Sequence, residues 1–139
     1  MIMPILAVED VDASVSFYTQ KLGFNHDFSL PGPDGQNAFA GVTLGKASFG
    51  LSRAKDLEHR GNGVAFMVYV TDETDLDGYY ADVQARGTLI AEPIKTQYWG
   101  DRSFEVRDPD GYVLSLSKTV KQVDRAELEA GMRGELQPA

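Results

Sequence analysis

Cysteine is missing from all 139 residues, so disulfides, thiolate nucleophiles and thiolate metal sites are excluded together. Histidine is scarce, with only His26 and His59 available as imidazole ligands or bases. Positive charge is in deficit: 13 Lys and Arg against 21 Asp and Glu leave a formal charge of −8. A phosphate backbone is therefore an unsuitable partner, and neutral or cationic ligands are favoured over anions. Long apolar runs are lacking too. The opening Ile2 to Val8 stops at Glu9, and nothing approaches the roughly 18 apolar residues of a membrane span. The expectation is a cytoplasmic protein with no membrane partner and no nucleic acid. The glycine-rich segments match neither a P-loop nor a dinucleotide fingerprint.

What is present is an internal repeat. Asp10, Phe17 and Tyr18 recur as Asp72, Tyr79 and Tyr80, each 62 residues later, and Val8 is echoed by Val70. Each copy runs from an alternating apolar segment through an acidic turn into a helical stretch closed by glycine, Gly23 and then Gly87. Two similar halves that bury a common face leave a cleft, and its lining is where function is sought.

In the first copy, residues 3–8 alternate as a strand, and Asp10 or Asp12 can cap a helix carrying Val11, Val15, Tyr18 and Leu22. Strands follow over 24–30, 39–44 and 46–52, the last two joined around Gly45. Polar residues 53–62 form the linker. In the second copy, residues 64–70 alternate, Thr74 with Asp77 resembles a capping pair, and Leu76, Tyr79 or Tyr80, and Val83 supply a helix stripe. Strands are predicted over 88–91, 103–107 and 112–117, with Asp108-Pro109-Asp110-Gly111 as the turn between the last two. Beyond the repeat, Asp124 and Glu127 start a short helix bearing Leu128 and Met132. It either packs on its own domain or clasps a second subunit, and residues 134–139 are expected to fray.

The run from Val8 to Tyr18 with Leu22-Gly23-Phe24, and later Trp99-Gly100-Asp101-Arg102 followed by Asp108-Pro109-Asp110-Gly111, resembles the vicinal oxygen chelate superfamily. That superfamily includes glyoxalase I, extradiol dioxygenases and the bleomycin-resistance proteins. The resemblance spans about residues 3–118. It implies an α+β fold in which two tandem βαβββ modules form a curled, partly closed mixed sheet, with helices outside and the ligand within the curl. The implied boundaries are residues 1–60 and 61–118 for the modules and 119–139 for a C-terminal helical extension. The resemblance also implies a homodimer.

Enzymes of this superfamily chelate a divalent metal through His and Glu on the concave face. The corresponding positions here hold Met3, Gly63, Phe49 and Ser115, none of them a ligand of that kind. No metal or cofactor is therefore expected, and no nucleophile–base pair can be assembled, with Glu105 predicted to face away from Ser115. The concave face then reads Met3, Ile5, Ala7, Ala47, Phe49, Leu51, Met67, Tyr69, Val113 and Ser115, an apolar surface that is either a pocket or a filled core. Tyr98 and Trp99 are either a stacking platform at its mouth or packing residues. Phe39 is a further candidate. If the last turn pairs Arg107 with Tyr112, Phe104 lies opposite Ser115, and Arg102 reaches the pocket to hold a ligand carboxylate or carbonyl, or pairs on the surface with Asp101 or Glu105. The leading expectation is a binder of a small hydrophobic or aromatic molecule, acting in drug sequestration. The alternatives are an enzyme (lyase, isomerase or dioxygenase) with a displaced metal site, and an interaction module with a filled pocket.

Overall fold

The structure is a computed structural model that describes residues 2–134. The tail expected to fray lies almost wholly outside them. In chain order the elements are β1 (Ile5–Val8), α1 (Val11–Ser16) running on into a π-helical turn (Phe17–Lys21), β2 (Asn25–Pro31), β3 (Asn37–Leu44), β4 (Ala47–Arg53), β5 (Ala65–Tyr69), α2 (Leu76–Ala85), β6 (Ile90–Thr96), β7 (Asp101–Arg107), β8 (Val113–Thr119) and α3 (Arg125–Met132). The first four strands form one sheet in the order β1-β4-β3-β2, and the second four repeat it as β5-β8-β7-β6. Each sheet is mixed, with β1 parallel to β4 and β5 parallel to β8. The predicted α+β arrangement is present, but the sheets share no strand pairing, so the expected partial closure does not form.

Local chemistry sets the element ends. Asp10 is extended at φ −137° and accepts from Ala13 N, capping α1. Gly23, at φ +75°, closes the helical stretch while Phe24 N reaches back to Tyr18 O. The cap of α2 is Asp75, whose side chain accepts from Gly78 N, and not the predicted Thr74 with Asp77. The caps thus stand 65 residues apart, and the closing glycines, Gly23 and Gly87, stand 64 apart. The π turn absorbs the extra residue of the first copy, as single-residue insertions into helices do. By this register Tyr18 matches Val83, each seven residues after its helix start and each fully buried, so the offset of 62 does not hold through the helices. Strand β6 runs longer than predicted because two bulges, around Glu92, break the alternation that would have revealed it.

The helix-facing sides of both sheets feed one core, which includes Val8, Tyr18, Leu51, Val68, Phe104, Leu114 and Leu116. Phe49 of the first sheet meets Phe66 of the second edge to face, with ring centroids 5.1 Å apart. The Asp-Pro-Asp-Gly turn ties the halves together. Asp108 accepts from the backbone N–H groups of Asp110 and Tyr112 and from the Tyr18 hydroxyl at 2.8 Å. Asp110 accepts from Glu9 N, and Arg60 Nε lies 2.8 Å from its carboxylate as an ion pair not aligned for a hydrogen bond. The Tyr112 hydroxyl bonds both Ala7 N and Ala7 O. Helix α3 begins as predicted, with Asp124 accepting from Glu127 N, but it buries none of its residues, Leu128 and Met132 included. No helix among the described residues is long and apolar enough to cross a membrane.

Candidate functional site

Away from the helices each sheet presents an open face, and strand register decides what stands on it. In the second sheet Met67 and Glu105 both flank Ser115, while Tyr69 and Ser103 both flank Ser117. These side chains share one face because alternate residues of a strand point the same way. Leu114, Leu116, Phe104 and Val106 occupy the opposite, buried side.

Several sequence-based placements are corrected here, most of them by turn length. Arg107 pairs with Val113 and not with Tyr112, so the turn holds five residues and every β7 side chain is flipped relative to expectation. Phe104 therefore lies opposite Leu116 in the core, its ring 4.9 Å from that of Tyr80. Glu105 moves onto the open face beside Ser115. Arg102 turns to the helix side, where its guanidinium grips Asp77 of α2 through Nε and Nη2 and donates to Thr96. Its predicted partners, Asp101 and Glu105, are not used. The bonds from Arg102 hold the Asp77 carboxyl below its ordinary range.

The first sheet shows the converse. Its β3–β4 turn has only two residues, since Leu44 pairs with Ala47, so the position four residues after Gly45 is out of step with Ser115. Phe49 and Leu51 point into the core, and Gly50 faces the open side in place of Phe49. Ala47 is half-buried and packs against that same core. On the open side Phe39 and Phe28 lie over Gly50 and Gly41. An added Cβ would fall 2.7 Å from the Phe39 ring at Gly50 and 2.6 Å from the Phe28 ring at Gly41. The two rings stack at 5.9 Å, flanked by exposed Ile5 and Leu30.

The positions resembling metal ligands do not fit a divalent cation. Met3 is a partly exposed thioether, Gly63 is a turn residue at φ +73°, Phe49 is in the core, and Ser115 is a neutral hydroxyl that shares a contact with Ser117. Among the described residues no three His, Cys, Asp or Glu side chains gather to hold a metal.

The most organised chemistry on the open face centres on Asp101, which is 4% exposed. Its carboxylate accepts from the Tyr69 hydroxyl at 2.7 Å, the Trp99 indole N–H at 3.1 Å and the Thr119 hydroxyl at 2.8 Å. All three donors are neutral, and none of the ion pairs among the described residues includes Asp101. The bond to Asp101 pushes the Tyr69 phenol up to about 12, so it remains a donor. Tyr69 and Trp99 thus converge at their polar tips on one oxygen. Tyr69 stays 46% exposed. Beside them a cavity of about 270 Å³ is bordered by Trp99, Gln97, Ser103, Glu105, Ser115, Glu92, Lys95 and Phe104. Tyr98 does not border it; its ring lies against Gly131 of α3. A larger depression of about 640 Å³ lies at the start of α1, among Glu9, Asp10, Asp12, Gln36, Asn37 and Arg53. Its polar groups are already engaged, Asn37 with Asp12 and Arg53 with Asp34 outside the depression, so it is the weaker candidate.

Sequence reasoning placed Met67, Tyr69, Trp99 and Ser115 near one another and missed Asp101, Ser103, Glu105 and Phe28. Asp101 was visible beside Trp99, but its convergence with Tyr69, 32 residues away, needs the sheet.

A model of the Glyoxalase/Bleomycin resistance protein/Dioxygenase superfamily matches residues 2–116. A bleomycin resistance protein of Geobacillus stearothermophilus is 26% identical, covering 86% of this chain and 96% of its own. Among solved structures, TnmS3, an antibiotic binding protein from Streptomyces sp. CB03234, superposes with a TM-score of 0.67 at 27% identity over 84% of this chain and 93% of its own. TioX from Micromonospora sp. ML1 also gives 0.67, at 22% identity over 89% and 99%. Matched along most of its length, the chain belongs to the glyoxalase/bleomycin resistance protein/dioxygenase superfamily.

Proposed function

We propose that this protein binds a small hydrophobic or aromatic molecule on its open face, without a metal, and sequesters it in the cytoplasm as a drug-binding protein. The observation that carries the reading is the buried Asp101 carboxylate holding Tyr69 and Trp99 beside a cavity bordered by Ser115 and Glu105. Trp99, fixed at its tip on Asp101 and bordering the cavity, gives a planar ligand stacking area at low entropic cost, with half-exposed Tyr69 held beside it on the same carboxylate. A carboxylate satisfied by neutral donors, with Glu92 and Glu105 against the lone Lys95, favours a ligand carrying positive charge. The bleomycin resistance and antibiotic-binding relatives support the same class of ligand. We further propose a homodimer, because Ile5, Phe28 and Leu30 leave an apolar stretch of the first sheet open to a second copy.

Calorimetric titration with acridine orange, a planar aromatic cation, and 8-anilinonaphthalene-1-sulfonate, an aromatic anion, tests the binding. The cation is expected to bind about tenfold tighter, and Tyr69→Ala or Trp99→Ala to weaken it about tenfold, or about 1.4 kcal/mol, in protein that remains folded. Binding of neither probe, or affinities untouched by both substitutions, would overturn the reading.

One observation favours a catalytic alternative: Glu105 stands opposite Ser115 on the same face. Elemental analysis of protein purified without chelators decides it, since a stoichiometric metal lost in Glu105→Gln would favour an enzyme with a displaced site.

A further inference from the structure

We propose that α3 is a strap that sets the Trp99 ring, with Gly131 as the positioning residue acting through Tyr98. The helix lies beyond residues 2–116 that carry the family pattern, and it buries no residue of its own. An eight-residue helix with no buried side chain is marginal in isolation, so what it touches decides where it sits.

Its contacts converge on the loop that carries Trp99. Gly100 O accepts from both Val120 N and Lys121 N at 3.0 Å. Gly100 sits at φ +94°, so close to the Lys121 carbonyl that a side chain there would collide with it. The loop and the segment entering α3 therefore move as one piece. At the far end of the helix the Tyr98 ring lies flush on Gly131, where any Cβ would run into it, and its hydroxyl reaches Met132 Sδ at 3.6 Å. The other side of Tyr98 meets Trp99 edge to face, ring centroids 5.0 Å apart.

Trp99 thus has two supports: the bond from its indole N–H to Asp101, and the Tyr98 ring that α3 holds in place. Asp101 fixes the tip of the indole, while Tyr98 fixes its tilt. Lifting α3 leaves Trp99 tethered at one point and free to swing over the cavity it borders. The strap's consequence for binding rests on the reading proposed above; its consequence for the indole does not.

Gly131→Ala separates a positioning role from a structural one. Alanine raises helix propensity by about 1 kcal/mol, so α3 itself is strengthened while the Tyr98 ring is displaced. The chain has a single tryptophan, so fluorescence excited beyond the tyrosine absorption band reports Trp99 alone. In full-length Gly131→Ala the emission is expected to move to the red and acrylamide quenching to rise, with the melting temperature kept. Ala126→Ser, exposed on the helix face opposite Gly131 and Met132, is expected to leave both unchanged. Acridine orange affinity should fall about threefold if the competent ring position drops to about a third of the population. Unaltered emission in a folded Gly131→Ala protein overturns the strap, and shifted emission with unaltered affinity overturns its part in binding. Shifted emission in a protein whose wild type binds neither probe upholds the strap and removes the binding reading alone.

Discussion

Asp101 and Asp108 are both buried carboxylates fed by neutral donors, yet they serve different ends. Asp101 holds two side chains that border open space. Asp108 is closed in by its own turn and by Tyr18, and burial raises its pKa above the ordinary carboxylate value. A folded-state value above the unfolded one means that this residue's contribution is fully present below the unfolded value, about 3.9, and is lost as pH rises through the raised one. Asp108→Asn keeps an acceptor for the N–H groups of Asp110 and Tyr112 and cannot ionise. Its melting temperature at pH 7 is expected to equal or exceed that of the wild type, with the advantage disappearing near pH 3.5. A variant that melts well below the wild type at pH 7 would show that the charged form is the one the fold uses.

At the level of elements, two hairpins of different length explain most of the misplaced residues. The first turns in two residues and the second in five, and an odd difference sends matching strand positions to opposite faces. That difference put Gly50 outward and Phe49 inward, and a second turn one residue longer than predicted brought Glu105 to the open side and took Phe104 and Arg102 from it. The helices differ by the inserted π residue but share a cap, Asp10 and Asp75 each accepting from the N–H three residues on. Because Asp75 and not Thr74 satisfies the first turn of α2, Asp75→Ala is expected to cost about 1 kcal/mol in chemical denaturation and Thr74→Ala less than about 0.5. The reverse order would restore the predicted cap.

Across the whole molecule the two sheets are separately hydrogen-bonded but not separately packed. Phe49 touches Tyr18 and Phe24 within its own half and Phe66 in the other. Phe49→Ala is expected to cost about 3–5 kcal/mol and to leave one cooperative transition, the same by far-UV circular dichroism and by Trp99 emission. Two separated transitions would mean that the halves fold as independent units, joined by polar bonds such as those of Asp108, Asp110 and Tyr112 and those between the helix ends, Tyr79 to Leu22 O and Lys21 to Arg86 O.

The sequence by itself determined the duplicated order of elements, the alternation that buries Leu6, Val8, Val68, Leu114 and Leu116, and the non-ligating character of Met3, Gly63 and Ser115, because each depends on residue type and local period. Tertiary structure alone decided which β4 and β7 side chains face the opening, that Arg102 answers to Asp77, and that Tyr69 and Trp99 meet on Asp101. Those outcomes depend on how many residues a turn consumes before the ladder resumes, and on contacts between segments that only a folded sheet brings within hydrogen-bond reach.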